Sequence, residues 1–172
     1  MGASVNGGKA YERLAVFFQE ILGFFGILVE PGEVYEVMER LGGKKKETDL
    51  IVLPALYGER KAKGEEAVTL RSGIFGLREE NFHGSDLVRG FVSGMAEELY
   101  ELYQDFPEEL RRGKTVIIAS GNGIRKNPLL REEVEKKYQL PVAFTERKEE
   151  AATGAAVLAE ILVGKESKKI EK

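Results

Sequence analysis

Apolar positions follow two rhythms along this chain, and the change between them divides it. The first rhythm is helical. Between Lys9 and Phe25, the residues Leu14, Phe17, Phe18, Ile21, Leu22 and Phe25 recur at spacings of three and four, which predicts a helix with one buried face. Pro31 suits the first turn of a second helix. That helix carries Val34, Tyr35, Val37, Met38 and Leu41 and is expected to stop at Gly42-Gly43, with Lys44 to Glu47 as a solvated turn. Leu50-Ile51-Val52-Leu53 is an unbroken apolar run between Asp49 and Pro54 and reads as a buried strand. A charged loop from Gly58 to Glu66 follows, and Ala67 to Leu77 reads as a second strand bent near Gly73. Ser85 is placed to cap a long helix reaching about Gln104, with Leu87, Val88, Phe91, Val92, Met95, Leu99 and Leu102 as its stripe.

From Lys114 the rhythm alternates. Thr115 to Ala119 reads as a strand, Ser120 to Gly123 as a tight turn, and Pro128 to Tyr138 as a helix. Val142 to Phe144 reads as a strand and Glu149 to Val163 as a helix. Strand–turn–helix repeated in this way predicts parallel strands joined by a right-handed crossover, so both strands belong in one sheet. The fold class is therefore α/β with helices added at its N-terminal end. No internal repeat and no linker divides the chain, which gives one domain over residues 1–164 and a charged tail over 165–172.

Composition narrows the function classes. The chain has 172 residues, 42% of them hydrophobic, enough for one globular domain with a core. Its net charge is −3, with acidic and basic residues interleaved, so nothing points to nucleic acid or an anionic membrane as a partner. The apolar stretches are too short and too charged to span a bilayer, and the N-terminus has no signal-peptide pattern. With no Cys there is no disulfide or thiol chemistry. These features together suit a cytoplasmic protein.

The most informative stretch is Ile118-Ala119-Ser120-Gly121-Asn122-Gly123. A strand runs into small residues and a helix follows. Glycines there let a ligand approach the backbone, and a helix start offers free N–H groups. Such a turn can hold a nucleotide, and it also serves as a plain strand-to-helix connection. Asn127 suits the start of the next helix as a cap. Val5-Asn6-Gly7-Gly8-Lys9-Ala10 falls short of a phosphate-binding loop, with Ala10 where a Ser or Thr is needed. His83 is the only His, which leaves no basis for a metal cluster or a His-activated nucleophile. Asp49, Asp86 and Asp105 each stand at a strand or helix boundary that explains them without catalysis.

Further motifs surround that turn in a fixed order. Upstream are Pro54, Gly58-Glu59-Arg60, Gly76-Leu77, Leu87-Val88-Arg89 and Gly94. Downstream are Asn127-Pro128-Leu129-Leu130, Leu140-Pro141-Val142 and Glu149-Glu150-Ala151-Ala152-Thr153-Gly154-Ala155-Ala156. Over roughly residues 4 to 163 the series resembles the C-terminal domain of the FGGY carbohydrate kinases. Ser4-Val5-Asn6-Gly7-Gly8 and Ser120-Gly121-Asn122-Gly123 with Asn127 look most like its sedoheptulokinase-like members. Two positions depart from the common pattern: Asn122 interrupts the glycines of the adenosine turn, and Ser93 stands where many members carry Glu.

The resemblance implies an actin-like ATPase (RNase H-like) domain that lacks its N-terminal hairpin. It implies the ATP-binding half of a carbohydrate kinase, which transfers the γ-phosphoryl group of ATP to a hydroxyl of a sedoheptulose-like ketose with Mg²⁺. Gly121, Asn122, Gly123 and Asn127 are then the nucleotide-binding residues, and Glu59 and Arg60 are candidates for the interdomain cleft or for a surface ion pair. The helix with Ala151, Ala152, Gly154, Ala155 and Ala156 is expected to offer a close-packing face. No catalytic or metal-binding residue is assigned. The base and the sugar site would come from an N-terminal domain or a separately encoded N-terminal half, so the chain alone is expected to be inactive. The alternative is a non-catalytic interaction or regulatory module that keeps the kinase fold.

Overall fold

Residues 7–56, 72–145 and 152–161 are described by a computed structural model of the chain. Helix α1 (Gly7–Phe24) and helix α2 (Pro31–Gly43) form the first layer. Helix α1 ends as its composition dictates. Gly26 adopts φ 72°, the Gly26 N–H donates to the Gly23 carbonyl, and the Ile27 N–H donates to the Leu22 carbonyl, a left-handed glycine cap. Helix α2 starts with Pro31 in its first turn, and the Glu33 carboxylate accepts a hydrogen bond from the Glu30 N–H. Its end differs from the expected glycine stop. The helix runs through Gly43, and Lys44 at its C-cap stays right-handed. Gly42 is instead a packing residue, because a Cβ there would lie 2.5 Å from Leu129 Cδ1 and 2.9 Å from Val88 Cγ1.

Strands β1 (Ile51–Leu53) and β2 (Gly73–Phe75) pair antiparallel, with Val52 opposite Ile74. A 3₁₀ turn at Glu79–Asn81 leads to the long helix α3 (Gly84–Gln104). This helix begins one residue before Ser85, and His83 takes the N-cap position without a side-chain cap bond. Ser85 is therefore inside the helix, where its hydroxyl lies 3.5 Å from the Asp86 carboxylate. A short helix α4 (Glu108–Arg111) follows.

Strand β3 (Ile117–Ala119), helix α5 (Asn122–Lys126), helix α6 (Pro128–Tyr138) and strand β4 (Val142–Phe144) complete an alternating unit. The two strands are parallel in one sheet, Ile117 opposite Val142 and Ala119 opposite Phe144, as the alternation predicted. Helix α6 ends at Gln139, which is left-handed at φ 53°. A last helix, α7, covers 152–161.

The core gathers around α3. Val88, Phe91, Val92, Met95 and Ala96 are buried there with Tyr11, Leu14 and Ala15 of α1, Val34 and Met38 of α2, Val52 of β1 and Leu129, Leu130 and Val134 of α6. Strand β1 can lie directly on α3 because Gly90 and Gly94 face it. A Cβ at Gly90 would meet Val52 Cγ2 at 2.8 Å, and one at Gly94 would meet the Val52 carbonyl oxygen at 2.1 Å.

Two expected faces are not found. The predicted α1 stripe is split: Leu14 is buried, but Phe17, Ile21 and Phe25 are exposed. In α7, Ala152, Ala155 and Ala156 are exposed and nothing lies within 4 Å of a Cβ at Gly154, so these positions form no close-packed face among the described residues. Ala151, Glu59, Arg60 and the 165–172 tail lie outside the described residues.

Buried polar groups lock the helices together. Arg89 is 2% exposed. Its Nε donates to the carbonyls of Gly42 (3.2 Å) and Lys45 (2.9 Å) at the end of α2. Its Nη1 reaches Glu133 at 3.2 Å and Glu132 at 3.3 Å on α6. Asp86 is also buried and accepts from Lys45 Nζ at 2.6 Å and the Thr48 hydroxyl at 2.8 Å. Burial alone would push the Asp86 carboxyl up, but the Lys45 and Thr48 hydrogen bonds together with the charges of Lys45 and His83 outweigh it and hold the group below the usual carboxylate value.

Candidate functional site

Three of the four residues singled out at the turn meet in one cleft. The cleft has a volume of about 470 Å³, and Asn122, Gly123 and Asn127 line it. Gly121 shapes the turn rather than the wall. It sits at φ 91°, ψ 153° as the N-cap of α5, a backbone conformation that only glycine adopts without strain. The turn is shorter than the sequence suggested, because α5 already begins at Asn122. Nothing lies within 4 Å of a Cβ at Gly123, so its missing side chain leaves open space rather than room for a neighbour.

The Asn127 side chain has two partners. Its Oδ1 accepts from the Leu130 N–H at 3.0 Å, capping α6, and its side chain also hydrogen-bonds the Tyr11 hydroxyl. The cap reading of Asn127 therefore holds, and the same residue ties the start of α6 to α1.

The opposite wall was not visible in the sequence. Tyr11 of α1 and Tyr35 of α2 stack with ring centroids 6.0 Å apart and planes 21° apart. Glu36 and Glu39 line the α2 side, and Lys126 lines the α5 side. Burial pushes the Tyr11 hydroxyl up to about 12, helped by Glu39 and Tyr35 and opposed by the Asn127 hydrogen bond. Burial and Glu12 raise Tyr35 as well. Both rings therefore stay neutral around pH 7. The cleft offers aromatic surface, hydroxyl and amide groups, carboxylates on one side and an ammonium on the other. This is the mixture expected of a site for a small ligand that has both an apolar ring and polar groups. No single window of sequence carries this set. Tyr11 and Tyr35 lie on amphipathic helices whose periodicity reads as core, and only folding brings those helices opposite the turn.

On the other side of the turn, Arg125 Nη2 donates to the Thr145 carbonyl at 3.0 Å and to its hydroxyl at 3.2 Å. The Arg125 and Arg131 guanidiniums lie 5.0 Å and 5.2 Å from the Phe144 ring. These contacts hold the C-terminal end of β4 beside the turn. A second cavity, of about 410 Å³, lies between β1 and α3 and is lined by Asp49, Ser93, Gly94, Glu97, Glu98 and Glu101. It contains none of the predicted nucleotide residues, and its acidic lining is unsuited to phosphates. The aspartates considered as bases are placed elsewhere. Asp86 is held by Lys45 and Thr48, Asp49 pairs with Arg78, and Asp105 is the C-cap of α3. Among the described residues, no group of three or more His, Asp or Glu could hold a metal ion, and no helix is long and apolar enough to cross a membrane.

No protein-family model matches the chain. It is 25% identical over 158 residues to sedoheptulokinase from Mus musculus, covering 92% of this chain and 32% of that protein. It is 24% identical over 159 residues to sedoheptulokinase from Homo sapiens, with the same shares. The chain thus spans about a third of the length of the curated relatives it matches. Among solved structures, a xyloylose kinase from Brucella ovis aligns with 78% of this chain and 26% of that one, with a TM-score of 0.53 and 20% identity. These likenesses bear out the resemblance read from the motifs: the chain is similar to sugar kinases over most of its length and shares a fold with one, consistent with a C-terminal FGGY-like domain.

Proposed function

We propose that this chain is the C-terminal, ATP-binding half of a carbohydrate kinase with an actin-like ATPase fold, acting on a sedoheptulose-like ketose in the cytoplasm together with an N-terminal domain. The observation that carries the reading is the convergence of Asn122, Gly123 and Asn127 on one cleft opposite the Tyr11–Tyr35 stack. The adenine ring would lie against the exposed face of Tyr35. The backbone at Gly121 to Gly123 would take the ribose side, and Lys126 would draw the phosphates towards the open end. Phosphoryl transfer requires the nucleotide and the acceptor hydroxyl to be held in line, with a base for that hydroxyl. In this reading the chain binds and orients the nucleotide, and the N-terminal domain supplies the base and the sugar site. Mg²⁺ would come with the ATP phosphates, and the described residues of this chain offer it no cluster of ligands.

ATP is expected to stabilise the chain by about 2.7 kcal/mol at a hundredfold excess over Kd, read as a rise in melting temperature. Gly123→Val should abolish the shift without unfolding the protein, since the new side chain enters open space in the cleft. Titration to millimolar ATP with no thermal shift and no change in the amide resonances around Gly121 would remove the nucleotide reading.

A second expected outcome separates half-enzyme from whole enzyme. In a coupled ADP-release assay with sedoheptulose, xylulose and glycerol, the chain alone should show no sugar-dependent turnover. Co-expression with the N-terminal domain of a similar kinase should restore it. A missing base costs about 10²–10⁴ in rate, and loss of the positioned sugar costs more. Turnover by the purified chain alone would refute the division of labour. ATP binding that never gives turnover with any N-terminal partner would favour a non-catalytic module.

A further inference from the structure

Among the described residues, the outward half of α1 has no partner within the fold. Phe17, Ile21 and Phe24 follow one another at helical spacing on α1, and Phe25, Ile27 and Leu28 follow in the turn beyond it. Phe24 is 91% exposed, Phe25 78% and Leu28 95%. The segment is held firmly all the same. The glycine cap at Gly26 fixes the turn, Gln19 Nε2 donates to the Val29 carbonyl at 3.1 Å, and Val29 packs against the core. The rings therefore cannot escape water by folding back.

We infer that this face is the seam of a homodimer, occupied by the same face of a second copy of this chain. Area is the first reason. A phenylalanine carries roughly 150–250 Å², so Phe17, Phe24 and Phe25 together leave about 400 Å² in water. Leu28, Ile27 and Ile21 bring the face close to the roughly 800 Å² that one partner gives to a standard interface. That exceeds the few hundred Å² of apolar patch that monomers usually tolerate. Charge is the second reason. From position 17 to 29 the only charged residue is Glu20. A face whose one charge is Glu20, three residues from Phe17 and four from Phe24, is close to neutral and can pack on its own copy about a two-fold axis, and a helical stripe can pack against its own copy ridge into groove.

Sedimentation velocity on the full 172-residue chain, from low to high micromolar concentration, tests this. The wild type should sediment as a dimer. Phe24→Glu with Leu28→Glu should raise the dimer dissociation constant at least about a hundredfold, because like charges would meet across the two-fold axis. The far-ultraviolet dichroism and urea midpoint should not change, since both side chains are exposed. The chain has no Cys, so a single Leu28→Cys should cross-link into a covalent dimer on oxidation, faster than Glu109→Cys on α4. A wild type that stays monomeric throughout overturns the inference. So does a dimer that survives the double charge variant but is broken by Ile118→Glu on the exposed face of β3, or a Leu28→Cys chain that cross-links no faster than the α4 control.

Discussion

Replacing Arg89 with alanine is expected to lower the unfolding free energy by about 3–5 kcal/mol, the usual cost of removing one partner of a buried ion pair. The guanidinium reaches the end of α2 and the glutamates of α6 at once. Without it, buried Glu133 loses the cation it contacts directly, and the Lys45 carbonyl loses its donor. A typical domain has about 5–15 kcal/mol of total stability, so the variant would retain a small margin. Urea unfolding followed by circular dichroism would show a lower midpoint with an unchanged slope. Arg89→Lys should recover little, since an ammonium cannot serve two carbonyls and two carboxylates from one planar fork. Arg89→Met combined with Glu133→Gln should lose less than Arg89→Ala alone, because no charge is then left stranded. A loss below about 1 kcal/mol for Arg89→Ala would place the pair among the weak surface bridges.

Gly94→Ala should also destabilise the fold, against the ordinary preference of helices. In the middle of an exposed helix the change would gain about 1 kcal/mol. Here the added carbon would lie 2.1 Å from the Val52 carbonyl oxygen and 3.1 Å from Pro54 Cδ. The obstacle is backbone, so the strand itself must move away from α3. Overpacking of this kind costs about 1–3 kcal/mol, and a backbone obstacle puts the expected value at the upper end. Gly43→Ala, with nothing within 4 Å of the new carbon, serves as the matched control and should be close to neutral. Equal melting temperatures for the two variants would contradict the close approach of β1 to α3.

Much of the framework was legible before the structure. Pro31, the apolar runs and the strand–turn–helix alternation located α2, α6, β1, β3 and β4 nearly to the residue, because local periodicity and turn chemistry act within a few residues. What stayed hidden depends on partners distant in the chain. Periodicity placed Phe17, Ile21 and Phe25 with Leu14, yet α1 has only one neighbouring layer to bury against. Gly42 looked like a helix stop, but Leu129 and Val88 decide its size. Ser85 has the chemistry of a cap, but the helix starts ahead of it. In the cleft, the glycine turn and Asn127 were readable because glycine and Asn mark special backbone positions. Tyr11, Tyr35, Glu36, Glu39 and Lys126 were not, because a side chain on a regular helix carries no mark of what will face it.

The central position of α3 also has a consequence for synthesis. The apolar sides of α1, α2 and β1 find their partner in a helix that leaves the ribosome only after them. At about 5–20 residues per second, several seconds pass between the emergence of Leu53 and that of Gln104. During that time the α1–α2 hairpin has both faces in water, the one destined for the core and the outward one with Phe24 and Leu28. A nascent chain in this state is a natural client for chaperones that hold exposed apolar segments, and translation speed across α3 sets how long that need lasts.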